Sequence, residues 1–105
     1  MEFFESSIFT KRLPGLLTDD DYRLVQEVLT SNPFVGRLIR GGHGLRKMRW
    51  ASSLGNRGKS SGIRVIYYVA SDRIYLLTAY AKKKQGTVEG SELEALSKLV
   101  KKESV

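Results

Sequence analysis

Residues 63–80 read IRVIYYVASDRIYLLTAY and contain two nearly continuous runs of β-branched and aromatic residues. Runs of this kind are typical of central strands that are covered on both faces of a sheet. The two runs are Ile63–Val69 and Arg73–Tyr80, and the short segment Ala70-Ser71-Asp72 lies between them. The sequence therefore predicts two neighbouring strands joined by a hairpin turn at 70–72.

A third strand is predicted immediately upstream, over Leu45–Ala51. Side chains alternate between the faces of a strand, so Lys47 and Arg49 share one face while Met48 and Trp50 share the other. We expect the apolar pair to point into the core and the basic pair to point away from it. The preceding residues, 34–44, contain four glycines, which indicates a connector with tight turns or positive φ angles.

A polar loop, Ser52–Gly62, follows this strand and is rich in Gly and Ser. It also carries two basic residues, Arg57 and Lys59. Two interpretations stay open. A flexible basic loop between strands is suited to contact with a phosphate backbone. It is equally well explained as a long hairpin loop whose charge has no function.

The N-terminal segment predicts a short strand followed by a helix. Residues 2–5 alternate loosely and are interpreted as the strand. Ser6 or Ser7 supplies the N-cap oxygen of the helix. The dipeptide Pro14-Gly15 interrupts or ends that helix, because proline lacks the backbone donor and clashes with the preceding turn.

A second and a third helix are predicted from their capping residues and charges. The second begins at Thr18, has Asp19–Asp21 at the positive end of its dipole, and ends before Pro33. The third begins at Ser91, with acids in its first turn and lysines in its last. One stripe of the second helix is predicted to face the core: Tyr22, Leu24, Val25, Val28 and Leu29.

Composition limits the classes of protein to consider. A chain of 105 residues that is 41% hydrophobic fits one α+β domain over residues 1–105. It has no cysteine and a single histidine, His43, so a thiolate or zinc site is not expected. Asp19–Asp21 fit a helix start better than a metal site, and we expect no metal or cofactor. The acidic N-terminus and short apolar runs predict a cytoplasmic protein without membrane contact.

Charge is unevenly distributed along the chain. The window from Arg37 to Lys84 contains twelve Lys or Arg residues and one acid, Asp72, whereas the rest of the chain contains ten acids and six basic residues. The net charge of +7 is thus the average of a strongly basic sheet region and a mildly acidic remainder. A basic region of this kind is typical of a protein that binds a polyanion.

The predicted pairing of the strands brings several of these charges together. A hairpin at 70–72 places Arg64 opposite Ala79, within a residue or so, and antiparallel pairing of the third strand places Arg49 near Arg64. Lys82 and Lys83 then emerge at the same end of the sheet. Like charges that face each other across strands are destabilising, so their grouping favours an anion-binding role.

The sequence shows no carboxylate pair, metal cage or Ser-His-Asp set, and one reaction that is compatible with a purely basic site is cleavage of RNA by its own 2′-hydroxyl. That reaction needs in-line positioning, stabilisation of the charged phosphorane and proton transfers, but no metal ion and no protein nucleophile. Arginine and lysine stabilise the developing charge. A lysine crowded by other cations has a lowered pKa and becomes suitable for proton transfer.

Three blocks of sequence resemble the RelE/ParE superfamily of toxins, and within it the HigB branch of the RelE-type toxins. The blocks are GLRKMRW at 44–50, GIRVIYY at 62–68 and LLTAYAK at 76–82. The resemblance covers nearly the whole chain. It implies a small fold in which a curved antiparallel sheet is flanked by two N-terminal helices and a C-terminal helix.

The resemblance also implies an activity and partners. RelE-type toxins of type II toxin–antitoxin systems are metal-independent endoribonucleases, or mRNA interferases, that cut message on the ribosome. A cognate antitoxin, here expected to be of the helix-turn-helix type, neutralises such a toxin and carries it to operator DNA. Two alternatives stay open: a non-catalytic RNA- or ribosome-binding module, and a gyrase-directed toxin of the ParE type.

Carried over by position, the resemblance assigns roles to individual residues. Arg64 matches the phosphate-binding arginine, and Arg49 belongs to the basic pair of the preceding strand. The expected catalytic residues are Arg49, Arg64, Tyr80, Lys82 and Lys83. The expected RNA-binding residues are Lys47, Arg57, Lys59 and Lys84. RelE itself has a base-stacking tyrosine near its C-terminus, and this chain has none after Lys84.

Overall fold

The computed structural model describes residues 1–54, 62–81 and 94–100, which form an α+β fold with a mixed sheet. The strands are β1 (Glu2–Glu5), β2 (Arg37–Leu38), β3 (Arg46–Trp50), β4 (Ile63–Ala70) and β5 (Arg73–Ala81), in the order β1-β5-β4-β3-β2. The helices are α1 (Ser7–Arg12), α2 (Asp19–Ser31) and α3 (residues 94–100). A 3₁₀ turn, Leu13–Gly15, follows α1 and contains the proline that was expected to interrupt the helix.

The central hairpin of β4 and β5 confirms the strongest prediction from the sequence. Val69 pairs with Ile74, and the turn between the strands includes Ser71 in the left-handed region, with φ 58°. Farther from the turn, the register shifts because β5 has one extra residue, Leu77, opposite the Ile66/Tyr67 step. This β-bulge shifts by one residue the pairing of the second half of β5 with β4.

The first strand corrects the expectation of a wholly antiparallel sheet. β1 pairs with β5 in parallel, from Glu2 opposite Arg73 to Glu5 opposite Leu76. The backbone N–H of Ser6 then donates to the carbonyl of Leu76, and the Ser6 hydroxyl donates to that of Leu77. The parallel direction lets the chain continue from Ser6 into α1, which packs along the second half of β5.

The starts of α1 and α2 follow the predicted capping residues, whereas Ser91, the predicted start of the third helix, lies outside the described residues. Ser6 Oγ accepts from Phe9 N at 3.0 Å and caps α1. Thr18 caps α2 in a capping box with Asp21, in which each side chain binds the other residue's backbone N–H. The prediction that Leu24 faces the core is wrong, because Leu24 is 41% exposed while Val25 is fully buried. Leu24 lies one step off the i, i+3, i+7 series that places Tyr22, Val25 and Leu29 on one face.

The sheet buries apolar residues on both faces. One face packs beneath α1 and α2, with β4 contributing Ile63, Val65 and Tyr67. The opposite face of β4 contributes Ile66, which packs with Leu96 and Val100 of α3. Both faces of the central strands are therefore covered in part, as their continuous apolar composition predicts.

The connector before β3 contains a short strand, β2, that the sequence did not predict. The residues just before β2 are hydrogen-bonded to Tyr67. The Tyr67 hydroxyl accepts from Gly36 N at 2.8 Å and donates to the Pro33 carbonyl at 2.8 Å. Arg46 Nη1 donates to the Gly36 carbonyl at 2.8 Å. His43 is exposed in the following turn with φ 55°, as expected of a turn residue.

No helix in the described ranges, 1–54, 62–81 and 94–100, is long and apolar enough to cross a membrane.

Candidate nucleic-acid interface

Arg49, Arg64 and Tyr80 lie side by side across β3, β4 and β5. The register pairs Arg49 with Arg64, and Arg64 with Tyr80. Directly paired residues in an antiparallel sheet project from the same face. The predicted proximity of Arg49 and Arg64 is confirmed. The bulge at Leu77 places Tyr80, rather than Ala79, opposite Arg64.

A second row of paired residues lies beside the first and adds two positive charges. Arg37 of β2 pairs with Lys47 of β3, and Lys47 pairs with Ile66 of β4. We call the side of the sheet that carries Arg37, Lys47, Arg49 and Arg64 the basic face. Arg37 was not among the predicted site residues, because a two-residue strand shows no alternation from which its face could be inferred.

Arg12 reaches the same region from outside the sheet. It is exposed at the end of α1, and its Nη1 donates to Thr78 Oγ1 at 2.8 Å. Thr78 is buried and pairs with Ile66, two positions along β4 from Arg64. The sequence carries no signal for this contact, which depends on how α1 packs against β5.

Arg64 is a buried charge that forms no ion pair with the described residues. Only 4% of its surface is exposed, and Nη1 donates to the Gly62 carbonyl at 3.2 Å. The ion pairs found within the described part of the chain, Arg23 with Asp20 and Arg23 with Glu27, lie on α2 and do not involve Arg64. A guanidinium has five N–H donors, so a buried one without a carboxylate is costly unless an anion binds it.

The remaining charges of the basic face are more accessible than Arg64. Arg49 and Arg37 are exposed, and Lys47 is half-buried. Tyr80, beside Arg64, is 4% exposed. An anion approaching this face therefore meets Arg49 first, with the charge of Arg64 directly beneath the surface. Two guanidinium groups in this arrangement are suited to a phosphate, which accepts paired donors.

A cavity of about 520 Å³ opens beside β3. Its lining includes both basic and apolar residues. They are Val28, Val35, Arg37, Lys47, Met48, Arg49 and Trp50. The basic face is thus continuous with this cavity through Arg49, Lys47 and Arg37.

Five predicted site residues lie outside the described residues. They are Arg57, Lys59, Lys82, Lys83 and Lys84. The structure does describe the start of the loop that carries the first two. Ser52 Oγ donates to the Leu16 carbonyl at 2.6 Å, and Ser53 binds Asp21. The chain that leaves Arg49 is therefore fixed to the junction between α1 and α2.

Asp21 has a structural environment rather than a metal-binding one. Its Oδ2 accepts from Ser53 N at 2.9 Å, Ser53 Oγ at 2.7 Å and Thr18 N at 3.3 Å. Burial by itself raises the pKa of Asp21, but these hydrogen bonds outweigh it and lower the pKa to about 2. Within the residues that the structure describes, no group of three His, Cys, Asp or Glu side chains is arranged to hold a metal ion.

A comparison of the chain with models of known protein families found no match.

Proposed function

We propose that this protein is a metal-independent endoribonuclease toxin of the RelE/ParE superfamily, in its HigB branch, that cuts message on the ribosome. The observation that carries the proposal is the direct pairing of Arg49 with Arg64 on one face of the sheet. No carboxylate in the described ranges forms an ion pair with either residue. The sequence blocks at 44–50, 62–68 and 76–82 supply the resemblance to these toxins, including their curved sheet.

In the proposed reaction, the 2′-hydroxyl of the RNA attacks the adjacent phosphorus and expels the 5′-oxygen of the next nucleotide. Arg49 and Arg64 stabilise the negative charge that develops on the phosphorane oxygens. Lys82 or Lys83, just beyond the end of β5, exchanges protons with the attacking and leaving oxygens. Tyr80 positions Arg64, and Lys47, Arg57, Lys59 and Lys84 bind neighbouring phosphates.

A cationic face of this kind has to be neutralised while the cell grows. We therefore include in the proposal a cognate antitoxin of the helix-turn-helix type, through which the toxin is recruited to operator DNA. Ribosome and message are the proposed targets, and the cytoplasm is the proposed location. Co-purification with the product of a neighbouring gene tests the antitoxin. High-level expression without arrest and without a partner would count against it.

The decisive experiment is induced expression in a bacterium, with mapping of RNA 5′ ends. We expect growth arrest and cuts within translated codons. Arrest with a DNA-damage response and intact message would instead indicate a gyrase-directed toxin. If the protein is instead a catalytically inactive relative of these toxins, the same assay should show no cuts in the message.

A non-catalytic RNA-binding module is the second candidate, and one observation favours it. Arg64 is 4% exposed, whereas Arg49 is open to solvent, so phosphate binding by Arg49 does not require Arg64 to move. This candidate predicts RNA binding without cleavage. Purified protein incubated with translating ribosomes distinguishes the two, because only the endoribonuclease shortens the message.

A further inference from the structure

The cavity beside β3 has a lining of two chemical kinds. Three of its residues are basic, Arg37, Lys47 and Arg49, and the others are apolar or aromatic and include Val28 and Val35. In the described chain, no acidic residue lines this cavity. The cavity therefore suits a ligand that carries a negative charge and an apolar surface at the same time.

Trp50 is the aromatic residue of the cavity lining. Its indole nitrogen is buried and has no acceptor within the described part of the chain. The indole therefore presents no N–H donor to the cavity, and what it can offer a ligand is carbon surface. An aromatic carbon surface beside a cationic groove is the combination that proteins use to bind single-stranded RNA, because a base stacks while its phosphate is neutralised.

The spacing of the basic residues in the cavity lining also fits the binding of single-stranded RNA. Lys47 and Arg49 are two residues apart on one strand, which separates their Cα atoms by roughly 7 Å on the same face. Arg37 is paired with Lys47 on the neighbouring strand. One nucleotide can thus place its base against the apolar and aromatic residues of the lining while more than one cation faces its phosphates.

We propose that this cavity is a base-binding subsite that holds one unpaired nucleotide of the RNA next to the phosphate bound by Arg49 and Arg64. The inference rests on the proposed function and identifies a substrate contact within it. Arg49 belongs both to the cavity and to the pair with Arg64, so one RNA strand passes from one to the other without a gap. That continuity favours RNA over an acidic peptide, which also combines charge with apolar side chains.

The single tryptophan of the chain makes this subsite directly observable, because all indole fluorescence comes from Trp50. The probe is a 2′-O-methyl hexanucleotide, which lacks the attacking hydroxyl and is not cleaved. Titration of the intact protein with this probe should quench the Trp50 fluorescence. The midpoint of the quench should equal the midpoint of binding measured by the fluorescence anisotropy of a dye-labelled hexanucleotide. Replacing one base at a time by an abasic site should lower the affinity about tenfold at one position only and remove the quench there.

A matched pair of variants separates the subsite from general electrostatics. Val35 lines the cavity and is 47% exposed, and Leu38 is 58% exposed outside it, so both should accept a charge without unfolding. Val35→Glu and Leu38→Glu change the net charge equally. We expect Val35→Glu to weaken probe binding about tenfold and Leu38→Glu to weaken it about twofold or less.

The possible failures are distinguishable. Tight binding by anisotropy, with unchanged Trp50 fluorescence and equal effects of all abasic positions, would overturn the subsite and leave the proposed function intact. Equal losses in the two glutamate variants would overturn it as well. Absence of probe binding in both assays would overturn the subsite, whereas the proposed function is overturned only by intact message in the mapping of RNA 5′ ends. Quenching by poly-glutamate but not by RNA would reassign the cavity to an acidic protein segment.

Discussion

Asp21 and Arg64 are both buried charged residues, and their surroundings differ. Asp21 is 6% exposed, and its carboxylate accepts hydrogen bonds from both Thr18 and Ser53. Arg64 is 4% exposed and donates to one backbone carbonyl, that of Gly62, without an ion pair in the described part of the chain. One charge is compensated by hydrogen bonds within the fold, whereas the other has no anionic partner among the residues that the structure describes.

This difference indicates what each residue does. A buried charge whose hydrogen bonds are complete stabilises the folded chain, and its removal leaves donors unsatisfied. A buried charge with incomplete hydrogen bonding destabilises the free protein and gains most when a ligand of opposite charge arrives. We therefore expect substitutions at Asp21 to change stability, and substitutions at Arg64 to change activity.

The largest expected effect follows replacement of Arg64. Arg64→Ala should reduce RNA cleavage about 100-fold, which is about 3 kcal/mol of transition-state stabilisation, and should abolish toxicity. Its unfolding temperature should be unchanged or higher, because the substitution removes a buried charge that forms no ion pair within the described ranges. Arg64→Lys should restore part of the activity, since an ammonium group does not bind phosphate through two parallel donors.

The control for this prediction is Arg23→Ala, which removes an exposed arginine from α2 and its ion pairs with Asp20 and Glu27. Toxicity should persist in this control. Equal toxicity of Arg64→Ala and wild type, at matched soluble protein levels, would place the active site elsewhere. A large loss of stability in Arg64→Ala would instead identify Arg64 as a structural residue like Asp21.

Replacement of Asp21 should lower stability and leave activity nearly unchanged, which is the opposite of the result expected at Arg64. Asp21→Ala removes the acceptor of three donors and breaks the capping box of α2, so we expect a loss of about 2 kcal/mol in the free energy of unfolding. Cleavage per folded molecule should change little. Asp20→Ala, on the exposed side of the same turn, should cost less than about 0.5 kcal/mol. Similar losses in the two variants, measured by urea unfolding, would contradict the assigned role of Asp21.

Acid should weaken the contribution of Asp21. Its pKa is lowered from an ordinary value of 3.8 to about 2 in the folded protein, so the unfolded chain takes up a proton first as the pH falls. The stabilisation is complete above about pH 4 and is lost between pH 4 and 2; with solvent screening it amounts to about 1–2 kcal/mol. Urea unfolding of wild type at several pH values should show this loss. The same series for Asp21→Asn should show a smaller decline over that range.

The compensated charge was more predictable from the sequence than the uncompensated one. Capping chemistry is local, so Thr18 and the acids after it identify the start of α2. The hairpin and the Arg49–Arg64 pairing were also predictable, because strand alternation and a short turn determine which residues face each other. These features depend on neighbours that are close in the sequence or on one strand pairing.

The parts that the sequence did not predict depend on contacts between distant segments. The parallel pairing of β1 with β5 joins residues about 70 positions apart, and a four-residue strand carries too little pattern to choose that edge. The burial of Arg64 depends on what covers its own face of β4, which the pattern of a single strand does not specify. Arg12 and Arg37 join the basic region only through the docking of α1 and of the short β2.

A neutral buried group extends the comparison and should give the smallest effect. The Tyr67 hydroxyl binds both Gly36 N and the Pro33 carbonyl, and burial raises the pKa of Tyr67, so the group stays uncharged. Tyr67→Phe leaves the Gly36 N–H without its acceptor, and we expect a loss of about 1 kcal/mol in the free energy of unfolding. Hydrogen exchange at the Gly36 amide should accelerate, because this N–H loses the buried acceptor that protects it. Tyr68→Phe is the matched control, since the Tyr68 hydroxyl makes no hydrogen bond with the described residues. Unchanged Gly36 exchange in Tyr67→Phe would mean that Arg46, which binds the Gly36 carbonyl, and the pairing of β2 with β3 hold this segment in place without the Tyr67 hydroxyl.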